Sequence, residues 1–386
     1  MTLDGWLATH EPDLISVRRQ LHQRPELGRE EHETTALLMA RLSAAGLSPK
    51  VLAGGTGVVC DVGEGEPLVA LRADIDALPL QDEKSVPYRS LTAGICHACG
   101  HDVHTAIVLG AGLYLAEQRV PGRVRLVFQP AEEQMPGGAL DVLAEGHLDG
   151  VSAIFGLHCD PSLKVGQVGL KPGPITAAAD AVEIGLSGPG GHTSRPQNTV
   201  DLVHVLSTVA TELPAALSRL VDPRAGLCLV WGRIAAGTAR NAIPGEGVLS
   251  GTLRVLDRAV WQQAPELVER LVLQIVAPYG ALAAVRYERG VPPVVNDPSA
   301  NTLLTAAVTT ALGASAAVPT VQSMGGEDFG WFLEKVPGAM CRLGVRAPLS
   351  LHPLDLHQPT FDVDESSVAV GIRVLVTAAL AALEAT

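Results

Sequence analysis

Ten consecutive residues, Cys96-His97-Ala98-Cys99-Gly100-His101-Asp102-Val103-His104-Thr105, carry two thiols, three imidazoles and a carboxylate. Thiolate, imidazole and carboxylate are the donors that hold zinc-like divalent metals. Cys99 and His101 stand two apart, so both can reach one metal from an irregular loop. A coordinated thiol is deprotonated outright, and a thiolate can bridge two metals. Three further stretches repeat the same grammar. Asp74 and Asp76, then Glu132 and Glu133, then His158 each stand beyond a short apolar run that reads as a strand. Open α/β sheets bind ligands outside the carboxyl ends of their strands. The spacing therefore predicts a metal site, read as binuclear, at one sheet edge. Adjacent Glu132 and Glu133 would face opposite ways in a straight strand, but Pro130 breaks the strand before them and lets both turn inward. Paired carboxylates suit a division of labour, one binding metal and the other moving a proton.

The elements that must position these groups follow from hydrophobic periodicity. Helices are predicted over 11–22, 32–46, 102–118 and 137–146, and strands over 58–62, 68–73, 124–129 and 152–157. That alternation indicates an α/β domain with a mixed, mostly parallel sheet flanked by helices. Near Ala177 the pattern changes. Strands over 181–186, 227–234, 248–256 and 282–287 enclose helices over 199–217 and 260–278, in the order βαββαβ of a ferredoxin-like unit. Helices near 299–312 and 365–384 follow. The reading is a discontinuous catalytic domain, 1–177 and 291–386, with an inserted lid or dimerisation domain over 178–290.

Composition excludes several partners. A net charge of −13 without a basic run argues against nucleic acid. The start, Met1-Thr2-Leu3-Asp4-Gly5-Trp6, reads as no signal peptide. No stretch approaches the roughly 20 uncharged apolar residues of a membrane span. Six Cys in 386 residues is no disulfide scaffold, and a cytoplasmic enzyme with reduced thiols is expected. Cys60, Cys159, Cys228 and Cys341 are read as small buried hydrophobes, and His10, His32, His147 and His204 receive no role. There is no Gly-x-Ser-x-Gly elbow, and Gly55-Thr56-Gly57 precedes a strand rather than a helix, so it fails the dinucleotide fingerprint.

Taken together, several motifs resemble the aminoacylase/carboxypeptidase metallopeptidase superfamily. The branch they most resemble contains hippurate hydrolases, N-acyl-L-amino acid amidohydrolases and auxin-conjugate hydrolases. They run from Leu21-His22-Gln23-Arg24-Pro25-Glu26-Leu27-Gly28 through Leu71-Arg72-Ala73-Asp74-Ile75-Asp76-Ala77-Leu78-Pro79, His97-Ala98-Cys99-Gly100-His101-Asp102 and Phe128-Gln129-Pro130-Ala131-Glu132-Glu133. Gly156-Leu157-His158, Gly190-Gly191-His192, Asn241-Ala242-Ile243-Pro244, Gly326-Glu327-Asp328-Phe329 and Leu356-His357-Gln358-Pro359 complete the set. Cys96 stands where Met is common in the family, and Val103 where Gly is common; neither is a ligand position.

The resemblance implies two divalent metal ions per subunit (Mn, Zn, Co or Ni), with Cys99 bridging and His101, Glu133, His158 and His357 completing the ligands. It implies Glu132 as general base and Asp76 as a residue orienting a ligand. His192 is implied to act on the scissile carbonyl, and Asn241 and Arg254 on a free carboxylate. The expected activity is hydrolysis of the amide bond of an N-acyl-L-amino acid by a hydroxide generated between the metals, in a homodimer formed through the lid. The competing expectations are a carboxypeptidase or dipeptidase on the same scaffold, and a non-catalytic relative that binds metal or ligand.

Overall fold

The structure, a computed structural model, describes residues 1–348 and 354–385. In chain order the first elements are α1 (Leu3–Gln23), α2 (His32–Ala44), β1 (Lys50–Val51), β2 (Val58–Gly63), β3 (Leu68–Asp74), α3 (His101–Ala116), β4 (Arg123–Gln129), α4 (Ala139–Ala144), β5 (Val151–Lys164), β6 (Val168–Leu170) and β7 (Gly173–Pro174). Then come β8 (Ala178–Ser187), β9 (Gly191–His192), α5 (Leu202–Leu220), β10 (Cys228–Ala236), β11 (Ala242–Ile243), β12 (Glu246–Val255), α6 (Arg258–Val276) and β13 (Leu282–Val291). The chain closes with β14 (Val295–Asn296), α7 (Pro298–Leu312), β15 (Ala317–Pro319), α8 (Phe329–Leu333), β16 (Gly338–Arg346) and α9 (Ser367–Ala385).

Two compact units emerge. One comprises Met1–Ile175, Val295–Val321 and Asp328–Thr386; the other comprises Thr176–Val294 and Gln322–Glu327. The short segment Gln322–Glu327, assigned with the catalytic part from sequence, joins the second unit because the Ala177 amide donates to the Ser323 carbonyl at 3.1 Å.

The first unit is built on an eight-stranded sheet in the order β1-β2-β4-β3-β5-β16-β6-β15. Its centre is parallel: β3 pairs with β4 and β5, and β5 pairs with β16. Every residue of β3 is buried, as expected of a parallel strand covered on both faces. Helix α3 is buried almost all round and packs with α1 and α9 as well as on β3. Departures from the sequence reading have local causes. Helix α1 starts at Leu3, not near residue 11, and carries Pro12 in its interior. Thr2 caps it and Trp6 and Leu7 are buried, which offsets the hydrogen bond that proline removes. Strand β16 has no counterpart among the strands predicted from sequence, although it is buried throughout except at Arg346. Helix α9 is, by length and composition alone, long and apolar enough to cross a membrane, although Arg373 and Glu384 interrupt its apolar run. Its Ile372, Leu375, Ala379 and Leu383 are buried in the core of this unit.

The second unit holds a four-stranded sheet, order β10-β12-β8-β13, with every neighbouring pair antiparallel. This is the ferredoxin-like arrangement. Helices α5 and α6 each bury one apolar stripe, Val205, Leu206, Val209 and Leu213 on α5, and Trp261, Ala264, Val268 and Val272 on α6. Asp201 and Asp257 cap them by accepting from His204 and Val260 amides.

Candidate metal centre

The three strands that carry candidate ligands lie side by side, β4-β3-β5, all parallel. Asp74 at the end of β3 pairs with Gln129 at the end of β4. His158 lies two residues beyond Gly156, the partner of Arg72. It does not follow a strand, as expected from sequence, but sits inside β5. The strand continues because β16 pairs with it through Arg342 opposite His158.

The Cys/His stretch returns to this edge by reciprocal backbone bonds between Leu78 and Cys96, 3.0 and 3.1 Å. Gly100 then turns the chain into α3 with φ of +87°. A Cβ here would lie 2.8 Å from Cys159 Sγ, so the position requires glycine on both counts. His357 reaches the same place from the other end of the chain, its amide bonded to the Ala98 carbonyl at 2.8 Å.

Two triads of donors result. Cys99, His101 and His158 offer ligand atoms within 4.8 Å of one another, and so do Cys99, Glu133 and His357. Cys99 belongs to both. Glu132 and Glu133 form a further such group with His101, and Glu132 Oε2 lies 3.9 Å from His101 Nε2.

The ring nitrogens say which imidazoles are available. His101 Nδ1 bonds the Asp76 carbonyl at 3.0 Å, with Asp76 Oδ1 at 3.3 Å. That places its proton on Nδ1. Its Nε2 is buried with no hydrogen-bond partner among the described residues. His158 donates from Nδ1 to the Cys159 carbonyl at 2.8 Å, and its Nε2 is 3.4 Å from Cys99 Sγ. Both rings thus turn a bare Nε2 toward the thiol, which is how outer hydrogen bonds prepare histidine for a metal. His104 differs: Nδ1 bonds Asp74 Oδ1 at 2.6 Å and Nε2 accepts from the Cys159 amide at 2.9 Å. Both nitrogens are used, so the third imidazole braces β3 to β5.

Asp74 was read from sequence as one of the ligand-type carboxylates. The structure pairs it with Arg72 at 2.7 Å and with His104, and with His101 and His104 it forms a further donor group. Arg72 also pairs with Asp328 at 2.8 Å and donates to Gln129 Oε1 at 2.9 Å. This buried network lies under the ligands, and Gln129 and Asp328 were missed as part of it. Asp76 stands behind the site: besides His101, its Oδ2 accepts from the Glu133 amide at 3.0 Å.

The donor set fits divalent cations. Burial pushes the Cys99 thiol up, and its bonds to Cys99 and Glu133 raise His357 to about 10. A nearby cation would reverse the first effect and draw on the same electron-rich atoms. Thiolate, imidazole and carboxylate together suit several first-row metals.

The other predicted residues lie in the second unit. His192 on β9 pairs with Ala242 on β11, and the Thr193 amide bonds the Asn241 carbonyl at 3.2 Å. His192 and Asn241 are therefore neighbours on one short ribbon. His192 Nδ1 accepts from the Ser194 amide at 3.1 Å, which leaves the proton of a neutral ring on Nε2. Arg254 on β12, opposite Cys228, donates to the Met324 carbonyl. Cys228 is exposed, not buried as expected, because it opens an edge strand; Cys60, Cys159 and Cys341 are buried.

Comparison with known proteins agrees with this architecture. Residues 70–381 match the model of peptidase family M20/M25/M40. The chain is 47% identical over 367 residues to a Rhodococcus jostii protein named putative glutamate–cysteine ligase 2-3, covering 95% of this chain and 46% of that one. The chain thus spans about half of that relative. It is 40% identical to the N-acetyl-L-cysteine deacetylase of Bacillus subtilis, covering 94% of this chain and 86% of the relative. Among solved structures, a Bacillus subtilis dinuclear metal-binding peptidase of the M20 family superposes with a TM-score of 0.87 at 34% identity, covering 98% of this chain and 99% of the other. The chain belongs to peptidase family M20/M25/M40 and is a metal-dependent amide hydrolase.

Proposed function

We propose that the protein hydrolyses N-acyl-L-amino acids to a carboxylic acid and a free amino acid. The observation that carries the reading is the pair of donor triads sharing Cys99 beside Glu132. Two divalent cations bound there would polarise the acyl carbonyl and acidify the attacking water. Cys99 would be the shared ligand, with His101 and His158 on one side and Glu133 and His357 on the other. Glu132, grouped with His101 but not with Cys99, is left for proton transfer. It takes a proton from the attacking water and delivers it to the leaving amine. Asp76 fixes the His101 tautomer and the Glu133 amide.

His192, with its proton on Nε2, is a donor for the carbonyl oxygen as it gains charge, a contribution worth about 10²–10³ in kcat for one such group. Arg254 and Asn241 receive the free carboxylate of the amino acid; Arg is suited to bidentate pairing with it. The protein acts as a homodimer assembled through the second unit, and His192 serves the partner's metal centre. The relative named as an N-acetyl-L-cysteine deacetylase supports a short acyl group on an amino acid. The test is turnover of a panel of N-acyl amino acids and dipeptides by protein reconstituted with manganese, cobalt, nickel or zinc. Preference for acyl amino acids supports the reading, and preference for dipeptides replaces it with a peptidase.

A further inference from the structure

The turn that carries Glu132 adopts a backbone shape its own sequence disfavours. Ala131 has φ of +54°, a left-handed conformation that costs a non-glycine residue energy. Such a residue persists only where its surroundings over-determine it. Here two carboxylates hold the turn. Glu31 Oε1 accepts from the Ala131 amide at 2.8 Å, and Asp76 Oδ2 accepts from the Glu133 amide at 3.0 Å. Between these two grips lies Glu132.

Glu31 is itself firmly placed. It is fully buried at the start of α2. Just upstream, Glu26 accepts from the Glu33 and Thr34 amides, both at 2.8 Å. The Glu26 carbonyl accepts from the Ala77 amide at 2.8 Å. The Gly28 carbonyl accepts from Gln134 Nε2 at 2.8 Å, and a Cβ on Gly28 would meet Ala131 Cα at 3.0 Å. The 26–31 segment is therefore a cradle pressed against the 131–134 turn. Burial pushes the Glu31 carboxyl above its ordinary range, a cost that an apolar residue at this place would not carry.

We infer that Glu31 is a positioning residue for Glu132: by holding the Ala131 amide it keeps the left-handed turn that brings Glu132 and Glu133 to the metal ligands together. The inference rests on the proposed role of Glu132.

The test compares Glu31→Ala, Glu31→Gln, and Glu31→Ala combined with Ala131→Gly, all as metal-loaded protein. Loss of such an outer partner typically costs ~10–100-fold. Glu31→Ala is expected to lower kcat by about that factor with KM within about threefold, and to speed amide exchange in the 130–134 segment. Glu31→Gln keeps an acceptor oxygen but a weaker one, so it loses less. Glycine adopts positive φ freely, so Ala131→Gly in the Glu31→Ala background restores part of kcat, which a merely structural role for Glu31 would not produce. Unchanged exchange in Glu31→Ala, or no recovery in the double variant, overturns the inference. Should Glu31→Ala not fold, Glu31→Gln with and without Ala131→Gly gives the same comparison on a smaller scale, with the same overturning results. If the wild-type protein turns over no acyl amino acid while the exchange result holds, the proposed function fails and the role of Glu31 in the turn stands.

Discussion

His104 Nδ1 lies 2.6 Å from Asp74 Oδ1, and this bond sets His104 apart from His101 and His158, whose ligand atoms group with Cys99. With its Nε2 also bonded to the Cys159 amide, His104 has no lone pair to give. His101→Ala and His158→Ala are therefore expected to lose metal, whereas His104→Gln, whose amide approximates the Nε2 position, keeps two ions per chain. Metal analysis after dialysis checks this. A full ion lost in His104→Gln would make that ring a ligand.

Glu132→Gln preserves shape but cannot accept a proton. Metal content is expected to stay near wild type while kcat falls at least ~100-fold. Stopped-time assays on equally loaded proteins decide it, and near-normal turnover moves the base elsewhere.

Much of this site is legible in sequence because apolar runs in β3, β4 and the first half of β5 each give way to polar residues. The side-by-side order of those strands then brings Asp76, Glu132, Glu133 and His158 to one edge. Strand β16 escapes such reading because Arg342 and Gly344 interrupt its apolar residues. The distinction between His101 and His104 is equally hidden: four of the atoms that decide it belong to Asp74, Asp76 and Cys159, which adjoin the rings only after folding. Glu31 escapes for the same reason, its partner Ala131 lying 100 residues downstream. Periodicity locates elements, but long-range hydrogen bonds assign roles within a cluster of like residues.

Acid stability should depend on Asp82. This buried carboxylate accepts from the Lys84 and Ser90 amides at 2.9 and 3.0 Å, and pairs with Lys84 Nζ at 3.1 Å and His22 Nε2 at 3.5 Å. Burial alone would raise its pKa, but His22, the two amides and Lys84 together lower it below the ordinary range. A carboxyl depressed in the folded state contributes stability that is complete above its unfolded pKa of about 3.9 and is lost as pH falls through the folded value. Asp82→Asn leaves Lys84 buried without its counter-charge, a loss of about 3–5 kcal/mol near neutrality. Urea unfolding across a pH series should show that the gap between the proteins narrows from about pH 5 to about pH 2. A gap that stays constant removes Asp82 from the acid transition.

Substrates are expected to need a free α-carboxylate. An N-acyl amino acid and its amide differ only in the group that Arg254 and Asn241 would hold. The amide should lose most of kcat/KM, and Arg254→Lys should lose much of the discrimination because a point charge cannot form the bidentate pair. Equal cleavage of acid and amide by the wild type would leave Arg254 as a structural partner of the Met324 carbonyl alone.

In the second unit, β10 and β13 are edge strands, and their Val230, Ile234 and Leu282 side chains are exposed. Unpaired edges of this kind are templates for another chain. His192 is also exposed, on the ribbon that follows β8. If a second copy docks on this unit and each copy lends His192 to the other, two inactive variants should complement. His192→Ala and Glu132→Gln, mixed under conditions that exchange subunits, would place both lesions in one site of each heterodimer and neither in the other. Activity should then return in proportion to the heterodimer formed. A self-contained site keeps one lesion in every copy and stays inactive. Subunit exchange demonstrated by mass without any recovery, or a monomer by sedimentation at assay concentration, would show that His192 serves its own chain.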